Sequence, residues 1–524
     1  MQSLLRWMSV CTFLLLSAIP AIGQDELRLV RAFEPQSLDP HKAGTWEYHT
    51  LIDLFEGLTA TDASGSIIPG MAESWTISPD GLTYLFRLRP EQKWSDGHPL
   101  DSTDIIWSLR RSLAPVTGNQ VAYSLKSIRN AMEVINGNLP GTALAVSAPD
   151  ARSVRFELAY PDPSFLEALS TQAAFPVPRH IVDQKGDAWA QTGTFISNGA
   201  YRLLEAVPNS HVRLERNPFF HDASAVMTDL VTYYPLDDNA TALKRYRGGE
   251  LDVLSDFPLE SLPQLRRDFP DEIRITPAIG LQAVMVNTRK PPLNDVRVRR
   301  ALSLLLDRDA IADKLLQSGE RGAYSYTPPH LTGYAPPRIE GANMDRAERV
   351  KKATALAAEA GITKDKPIRL VFRYTTNRQS KRVAIAIASM LREIGVTVEL
   401  VNTESRVTLR DYKAGNFDLA MYQFSNAISD PIEFLEPMLG RDGYLNLSGY
   451  NDPAFDALLT RARQTQNPAQ RADLLAQAEM LALAAVPYLP LYHIASRSLV
   501  SPKIKGWVDN AGNLHPSRYI SITP

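Results

Sequence analysis

Only one cysteine occurs in the 524 residues, Cys11, and it sits inside an apolar N-terminal stretch. Arg6 gives that stretch a positive start, residues 7–19 form a short apolar core, and Ala21-Ile22-Gly23 is a small-x-small cleavage pattern. Together they read as a secretory leader, with Gln24 opening the mature chain. The mature chain then has no thiol, which excludes disulfides, cysteine-ligated metal and thiol nucleophiles. No cysteine follows the cleavage pattern directly, so lipid attachment there is excluded as well. The leader core is shorter than the roughly 20 residues a spanning helix needs. Later in the chain, residues 474–486 come nearest to a long apolar run, and Asp473, Gln477 and Glu479 give that stretch a polar face. Export without thiols or a lipid anchor fits a Gram-negative periplasm.

Net charge is also missing. Fifty-six basic and 58 acidic residues leave a formal charge of −2, with no footprint for nucleic acid or for an anionic membrane. Nine histidines are scattered without metal-ligand spacing, and no H-E-x-x-H occurs. The nearest approach to G-x-S-x-G is Phe195-Ile196-Ser197-Asn198-Gly199, which has Phe where the first Gly should stand. No cofactor and no metal are expected, and the chain does not read as an enzyme. A secreted hydrolase stays only as a third alternative, and paired acids such as Asp237-Asp238 read as a solvated loop.

What is present is ordinary globular composition, 44% hydrophobic and 22% charged, enough for two or more domains. Residues 27–33 alternate as a strand and are followed by two prolines at 35 and 40. Residues 51–58 read as a helix ended by Gly57. Pro79-Asp80-Gly81 and Asp96-Gly97 are turn signals beside the alternating segment 82–88, and residues 101–113 form a capped helix. Residues 154–158, 201–207 and 212–216 alternate as strands. Phe175-Pro176-Val177-Pro178 reads as a crossover between domains. Residues 244–253 run from helix to strand across Gly248-Gly249.

After Pro277 the pattern becomes α/β. Residues 281–286 are almost wholly apolar, as in a strand buried on both faces. A strand at 368–372, a helix at 382–394 and a strand at 396–401 make a β-α-β unit on a parallel or mixed sheet. Helices are expected at 346–360, 454–463 and 470–485, and a final strand at 488–500.

The segment 287–311 is the best marked. Pro291-Pro292 favours extended backbone before it. Asn294 is placed to cap a helix, with Asp295 at the positive end of its dipole. Leu293 and Val298 have staple spacing. Val298, Ala301, Leu302, Leu305 and Leu306 form one buried face, and Asp307 is placed to cap a following helix.

This string resembles the signature of the family 5 solute-binding proteins of ABC importers. The resemblance extends in order through Glu34 to Pro40, Leu54-Phe55-Glu56-Gly57-Leu58, Pro69 to Trp75, Lys93-Trp94-Ser95-Asp96-Gly97, Asn198-Gly199-Ala200-Tyr201 and Tyr246 to Asp252. Tyr326-Thr327-Pro328-Pro329 and Tyr246-Arg247-Gly248-Gly249-Glu250 resemble its oligopeptide-binding branch. The resemblance implies an α/β fold of the periplasmic binding protein class, with two lobes, a hinge and an extra inserted domain, three domains in all. Residues 24–49, 171–276 and 486–524 would form domain I, residues 50–170 domain II, and residues 277–485 domain III. It further implies a monomer that closes on a short peptide, such as a cell-wall murein peptide, and hands it to an inner-membrane permease with its ATPase subunits.

By the same resemblance three segments face the cleft: Gly44, Thr45 and Trp46; Ser255, Asp256 and Phe257; and Tyr422, Gln423, Phe424, Ser425 and Asn426. Tyr123, Tyr492 and His493 are candidate lining. In peptide-binding relatives an aspartate four residues before the proline of the D/E-P segment anchors the ligand ammonium. Here that position is Ala427, before Asp430-Pro431. A buried ammonium needs a carboxylate, so Asp430, Asp256 or Glu47 is left to supply it, or the ligand has no conventional free N-terminus. Met421 stands where a basic side chain is expected, which leaves Arg373, Arg378, Lys381, Arg406 and Arg410 for a ligand carboxylate. The second alternative is the same receptor role for a non-peptide solute, such as an opine, a sugar or a metal chelate.

Overall fold

The architecture was obtained as a computed structural model, which describes residues 25–31, 34–44, 47–425, 428–440 and 446–523, without the side chains of residues 405 and 406. The leader reading, Cys11 included, therefore lies outside the described residues, as do Thr45, Trp46, Asn426 and Ala427. Among the described residues no helix is long and apolar enough to cross a membrane.

Two long antiparallel neighbours, Ile273–Val286 and Tyr488–Val500, form the spine of an eleven-stranded sheet. On one side of the spine lies Leu419–Ser425, antiparallel to Ile273–Val286, and then the parallel pair Ile368–Thr375 and Val396–Thr403. On the other side come Val253–Ser255, Glu26–Arg31 and Leu230–Pro235, mutually parallel, and then the meander His211–Arg216 and Tyr201–Val207. Each end of the sheet has its own core. One holds Leu302, Leu305, Phe372 and Ile387; the other holds Leu29, Tyr48, Phe55, Trp189 and Tyr201. A separate four-stranded sheet (Ala72–Ile77, Thr83–Leu88, Ser153–Glu157, Val146–Asp150) packs a third core around Trp94, Phe86, Phe156 and Phe165.

The spine is irregular in its middle. Pro277 pairs with Ala495 and Leu281 with His493, so one strand takes four steps where its partner takes two. Such a bulge bends and twists a sheet. Gly280 lies in it because a Cβ there would come within 2.2 Å of Ile494 Cδ1.

The marked segment folds as its periodicity predicts. Val298, Ala301, Leu302, Leu305 and Leu306 are all at most 1% exposed on or just after the helix Val296–Leu305. The cap is Asp295, accepting from the Arg297 amide at 2.8 Å, one residue later than expected. Asn294 is instead held in the preceding turn through its amide and the Lys290 carbonyl. Two arginines of the segment are structural. Arg299 donates to the carbonyls of Ala485 and Leu293 at 2.7 and 2.9 Å. Arg308 is fully buried and donates to the Pro490 carbonyl at 2.8 Å, the Ser303 carbonyl at 3.0 Å and the Ser303 hydroxyl at 2.9 Å. Burial lowers its guanidinium pKa to about 10. The segment is thereby bolted to the spine at Pro490.

Other expectations need adjustment. The helix read at 51–58 is Tyr48–Leu54, with extended backbone from Phe55; Gly57 lies beyond it, so close to Leu169 that a Cβ would meet its carbonyl at 2.2 Å. The helix read from 382 starts at Arg378, capped by Asn377 through the Ser380 amide. Pro79-Asp80-Gly81 does join a hairpin, but the Asp96-Gly97 turn closes only a single bridge, Lys93 to Pro99. Glu479 is not on a polar face. It is 0% exposed and accepts from the amides of Tyr326 and Thr327 at 2.7 and 3.0 Å and from the Tyr334 hydroxyl at 2.6 Å. Burial raises its carboxyl pKa, and those donors offset only part of the rise. The β-α-β unit is as expected, with Ile368–Thr375 parallel to Val396–Thr403 across Arg378–Leu391.

Several motifs turn out to be joints between distant segments. Asp39 accepts from Arg111 at 2.6 Å, from the Trp189 indole at 3.2 Å and from the His41 amide at 3.0 Å. Glu56 is held by His221 at 2.7 Å and Arg518 at 2.6 Å.

Candidate functional site

Three parallel strands, Glu26–Arg31, Leu230–Pro235 and Val253–Ser255, end together at a cavity of about 500 Å³. The carboxyl ends of parallel strands are where α/β sheets place ligands, and the volume is that of a small-molecule site. The wall is completed by the start of the helix Tyr48–Leu54, by Ala495 to Arg497 of the spine, and by Trp507, Asn513 and His515.

Arg31 dominates this wall. Its Nη1 reaches the Ser255 hydroxyl at 3.4 Å, its guanidinium lies 5.0 Å from the Tyr233 ring centroid, and its Nε is buried without a hydrogen-bond partner. No carboxylate is ion-paired with it among the described residues. Arg28, three residues earlier, differs: it makes a two-pronged contact with Asp252 at 2.9 and 2.8 Å. His49 and His515 lie in the same wall. Burial, and then the charge of Arg31, lowers both imidazole pKa values, that of His515 to about 3, so both rings are neutral. The His515 ring stacks on Trp507 with centroids 3.6 Å apart. Acids are present too. Glu47 is buried, and its Oε1 accepts from the Gln36 amide at 3.0 Å. Asp256 holds Arg497 at 3.1 Å, and Arg497 also pairs with Glu320 at 2.5 Å. Asp256 has φ +64°, a left-handed conformation that costs a non-glycine residue energy and recurs at ligand sites. The site therefore offers a poorly satisfied cation, acidic groups and aromatic surface in one space.

Of the residues singled out from sequence, Ser255 and Asp256 line this cavity. Gly44 backs it: a Cβ there would lie 2.9 Å from Glu47 Oε2. Phe257 points into the core with Leu254 and Leu262. In Leu419–Ser425, Gln423 and Ser425 are exposed and Tyr422 is half-buried, while Phe424 packs on Phe434 and Tyr488. Tyr492 is buried, with its hydroxyl 3.4 Å from Gln379 Nε2. His493 sits beside the spine bulge, and burial lowers its pKa to about 4. Tyr123 stands apart from the cavity, its ring 4.8 Å from Lys126 Nζ, where Lys126 meets Glu433 and Glu436.

Two of the basic candidates are occupied. Arg373 pairs with Asp411 at 3.0 Å and Arg378 with Glu260 at 2.6 Å. Lys381 and Arg410 are exposed, and the Arg406 side chain lies outside the description. Asp430 is held by Arg471 at 2.9 Å and by the Ile432 amide, a structural role. Sequence reasoning missed Arg31, His49, His515 and Trp507, and it read Asp237 as solvated loop although it lines the cavity. Its neighbour Asp238 caps the helix Asn239–Arg247.

Known proteins agree with this architecture. The profile of bacterial extracellular solute-binding proteins, family 5, matches residues 66–446. The chain is 37% identical to the periplasmic oligopeptide-binding protein OppA of Salmonella typhimurium, covering 92% of this chain and 90% of the other. Among solved structures, the murein tripeptide binding protein MppA of Escherichia coli superposes with TM-score 0.86 at 32% identity, covering 96% of this chain and 99% of that one. OppA of Haemophilus influenzae in complex with RPPGFSPFR gives 0.84 at 29% identity, covering 96% and 99%. The chain thus belongs to the family 5 extracellular solute-binding proteins, and its fold is that of the periplasmic peptide-binding proteins, with two lobes, a hinge and an extra domain.

Proposed function

We propose that this protein is the periplasmic receptor of an ABC importer, binding short peptides between its lobes and delivering them to an inner-membrane permease and its ATPase subunits without chemical turnover. One observation carries the reading. The cavity at the strand ends holds a poorly satisfied guanidinium, Arg31, and an acid, Glu47, that forms no ion pair among the described residues, so it can meet both charges of a zwitterion. Similarity to the oligopeptide and murein tripeptide binding proteins supports it. In this reading Arg31 takes a ligand carboxylate and Glu47 an ammonium group, replacing the anchor that Ala427 lacks. The exposed Gln423 and Ser425 present ligand-facing groups from the other lobe, and main-chain pairing supplies affinity without sequence preference.

The working domain division is residues 24–49, 171–276 and 486–524 for the first domain, 50–170 for the inserted one and 277–485 for the third. The leader is removed near Gly23, no lipid is attached, and the receptor acts as a monomer. The test is a thermal-shift and calorimetric series with murein tripeptide against ordinary tri- to pentapeptides. A stabilising shift with at least one class is expected, and no shift with any peptide overturns the reading. The second reading, a non-peptide solute, is favoured by the missing carboxylate at Ala427. A co-purified opine, sugar or chelate in native mass spectra would establish it.

A further inference from the structure

The hairpin turn after Trp94 and the helix Arg179–Lys185 meet at a cluster unrelated to the cavity. Asp96 Oδ2 lies 2.8 Å from His180 Nε2 and 3.2 Å from His98 Nδ1. The two imidazoles stack with centroids 4.5 Å apart. One ligand atom from each of Asp96, His98 and His180 falls within 4.8 Å of the other two. The histidines are 82 positions apart in sequence, which is why their spacing shows no ligand pattern.

We propose that Asp96, His98 and His180 form a binding site for a borderline divalent transition metal such as Zn²⁺, Ni²⁺ or Cu²⁺. Two imidazole nitrogens and one carboxylate oxygen suit these ions, whereas Mg²⁺ and Ca²⁺ prefer all-oxygen shells. Metal–nitrogen and metal–oxygen bonds of about 2.0–2.2 Å place the ligand atoms of a tetrahedral ion roughly 3.3 Å apart, close to the spacing seen. The carboxylate is already oriented toward such an ion, since Oδ1 accepts the His98 amide at 3.0 Å and this leaves Oδ2 turned to both rings. The Asp96 and His180 side chains are 21% and 25% exposed and so restrained, while His98, at 64%, is free to adjust its ring. Three protein ligands leave a fourth position for water.

The site spans a joint. Asp96 and His98 belong to the loop between the strand Thr83–Leu88 of the small sheet and the helix Ser102–Leu113, and His180 follows the crossover at residues 175–178. The hairpin is also pinned to residue 197, the Ser95 amide donating to the Ser197 carbonyl at 2.8 Å and the Ser197 amide to Ser95 Oγ at 3.0 Å. A bound ion would cross-link the inserted domain to the lobe that carries the cavity and stabilise that junction.

The test uses the tag-free mature chain, stripped with chelator, titrated with Zn²⁺ alone by calorimetry and with Co²⁺ followed by visible absorption. One ion per chain is expected, with a rise in Tm that chelator reverses. H98A and H180A should each weaken Zn²⁺ binding at least tenfold, and the double variant should lose both the stoichiometric binding and the Tm rise. Circular dichroism and the metal-free Tm of H98A report whether the fold is intact, and that exposed side chain is expected to be dispensable for it. No Zn²⁺ binding by the parent chain overturns the proposal, as does binding that survives in the double variant. No peptide enters the experiment, so its outcome is independent of the receptor reading.

Discussion

Two arginines, one on each side of the spine, show what separates scaffold from site. Arg308, in the most recognisable segment, has its donors spent on the fixed carbonyls of Pro490 and Ser303 and on the Ser303 hydroxyl. Arg31, in an unremarkable strand, has one hydroxyl at 3.4 Å, a ring face and an Nε with no partner. A buried guanidinium surrounded by main-chain acceptors holds a fold together. One that faces open volume with few acceptors retains binding capacity for a ligand. Arg308 lies in a readable motif and has part of its shell, Ser303, five residues away, although Pro490 is 182 residues distant; Arg31 has no such local partner, its hydroxyl contact Ser255 lying 224 residues away.

The comparison breaks most visibly at Arg308. R308A leaves several buried acceptors unsatisfied and should cost about 3–5 kcal/mol of stability in urea unfolding. R308K keeps the charge but not the planar fork and should recover only part of the loss. Equal stability of R308A and the parent chain would place Arg308 outside the scaffold.

Glu479 comes next. E479L removes the acceptor for two buried amides and a hydroxyl, and a loss of about 2–3 kcal/mol is expected in the same assay. The Arg31 side of the comparison is smaller in energy but different in kind. R31A should raise the Kd for peptide about tenfold, roughly 1.4 kcal/mol, while the Tm of the unliganded protein stays within about 1 °C. A drop in Tm matching that of R308A would make Arg31 scaffold after all.

The last effect is pH-dependent. Glu167 accepts from the Ser429 amide and hydroxyl at 3.0 and 3.1 Å, joining the short helix Phe165–Ala168 to the turn before the helix Ile432–Leu435. Burial pushes its carboxyl pKa up to about 7 from the usual 4.5. Between those two values the folded chain binds a proton that the unfolded chain has released, so stability falls as pH rises through that window. The E167Q variant lacks this group, so the parent should lose stability relative to it as pH rises from 5 to 8. Parallel pH profiles for the two chains would show that Glu167 does not titrate in this way.

Much of the fold was legible, for a physical reason. Periodicity marks which face of a helix or strand is buried, and the apolar face from Val298 to Leu306 is found where its spacing puts it. Caps shift by a residue, as from Asn294 to Asp295, because Asn294 is taken up in the preceding turn through its own amide and the Lys290 carbonyl. The site was less legible. Arg28 and Arg31 stand three apart in one strand, so they face opposite sides of it, but what meets Arg28 is decided by Asp252, 224 residues later. Glu479 looked solvent-facing because its three donors come from residues 326–334. His49 and His515 meet at Arg31 from near opposite ends of the chain. Ser255 and Asp256 were found because the resemblance placed their segment in the cleft.

The cavity wall has a further consequence for the order in which the protein acquires its activity. Residues 29–50 supply one part of the wall and residues 495–515 another. A chain that emerges N-terminus first therefore presents Arg31 early but lacks Arg497, Trp507 and His515 until almost all of it has been made. The cavity wall is complete only once the strand Tyr488–Val500 and the residues after it have been laid into place.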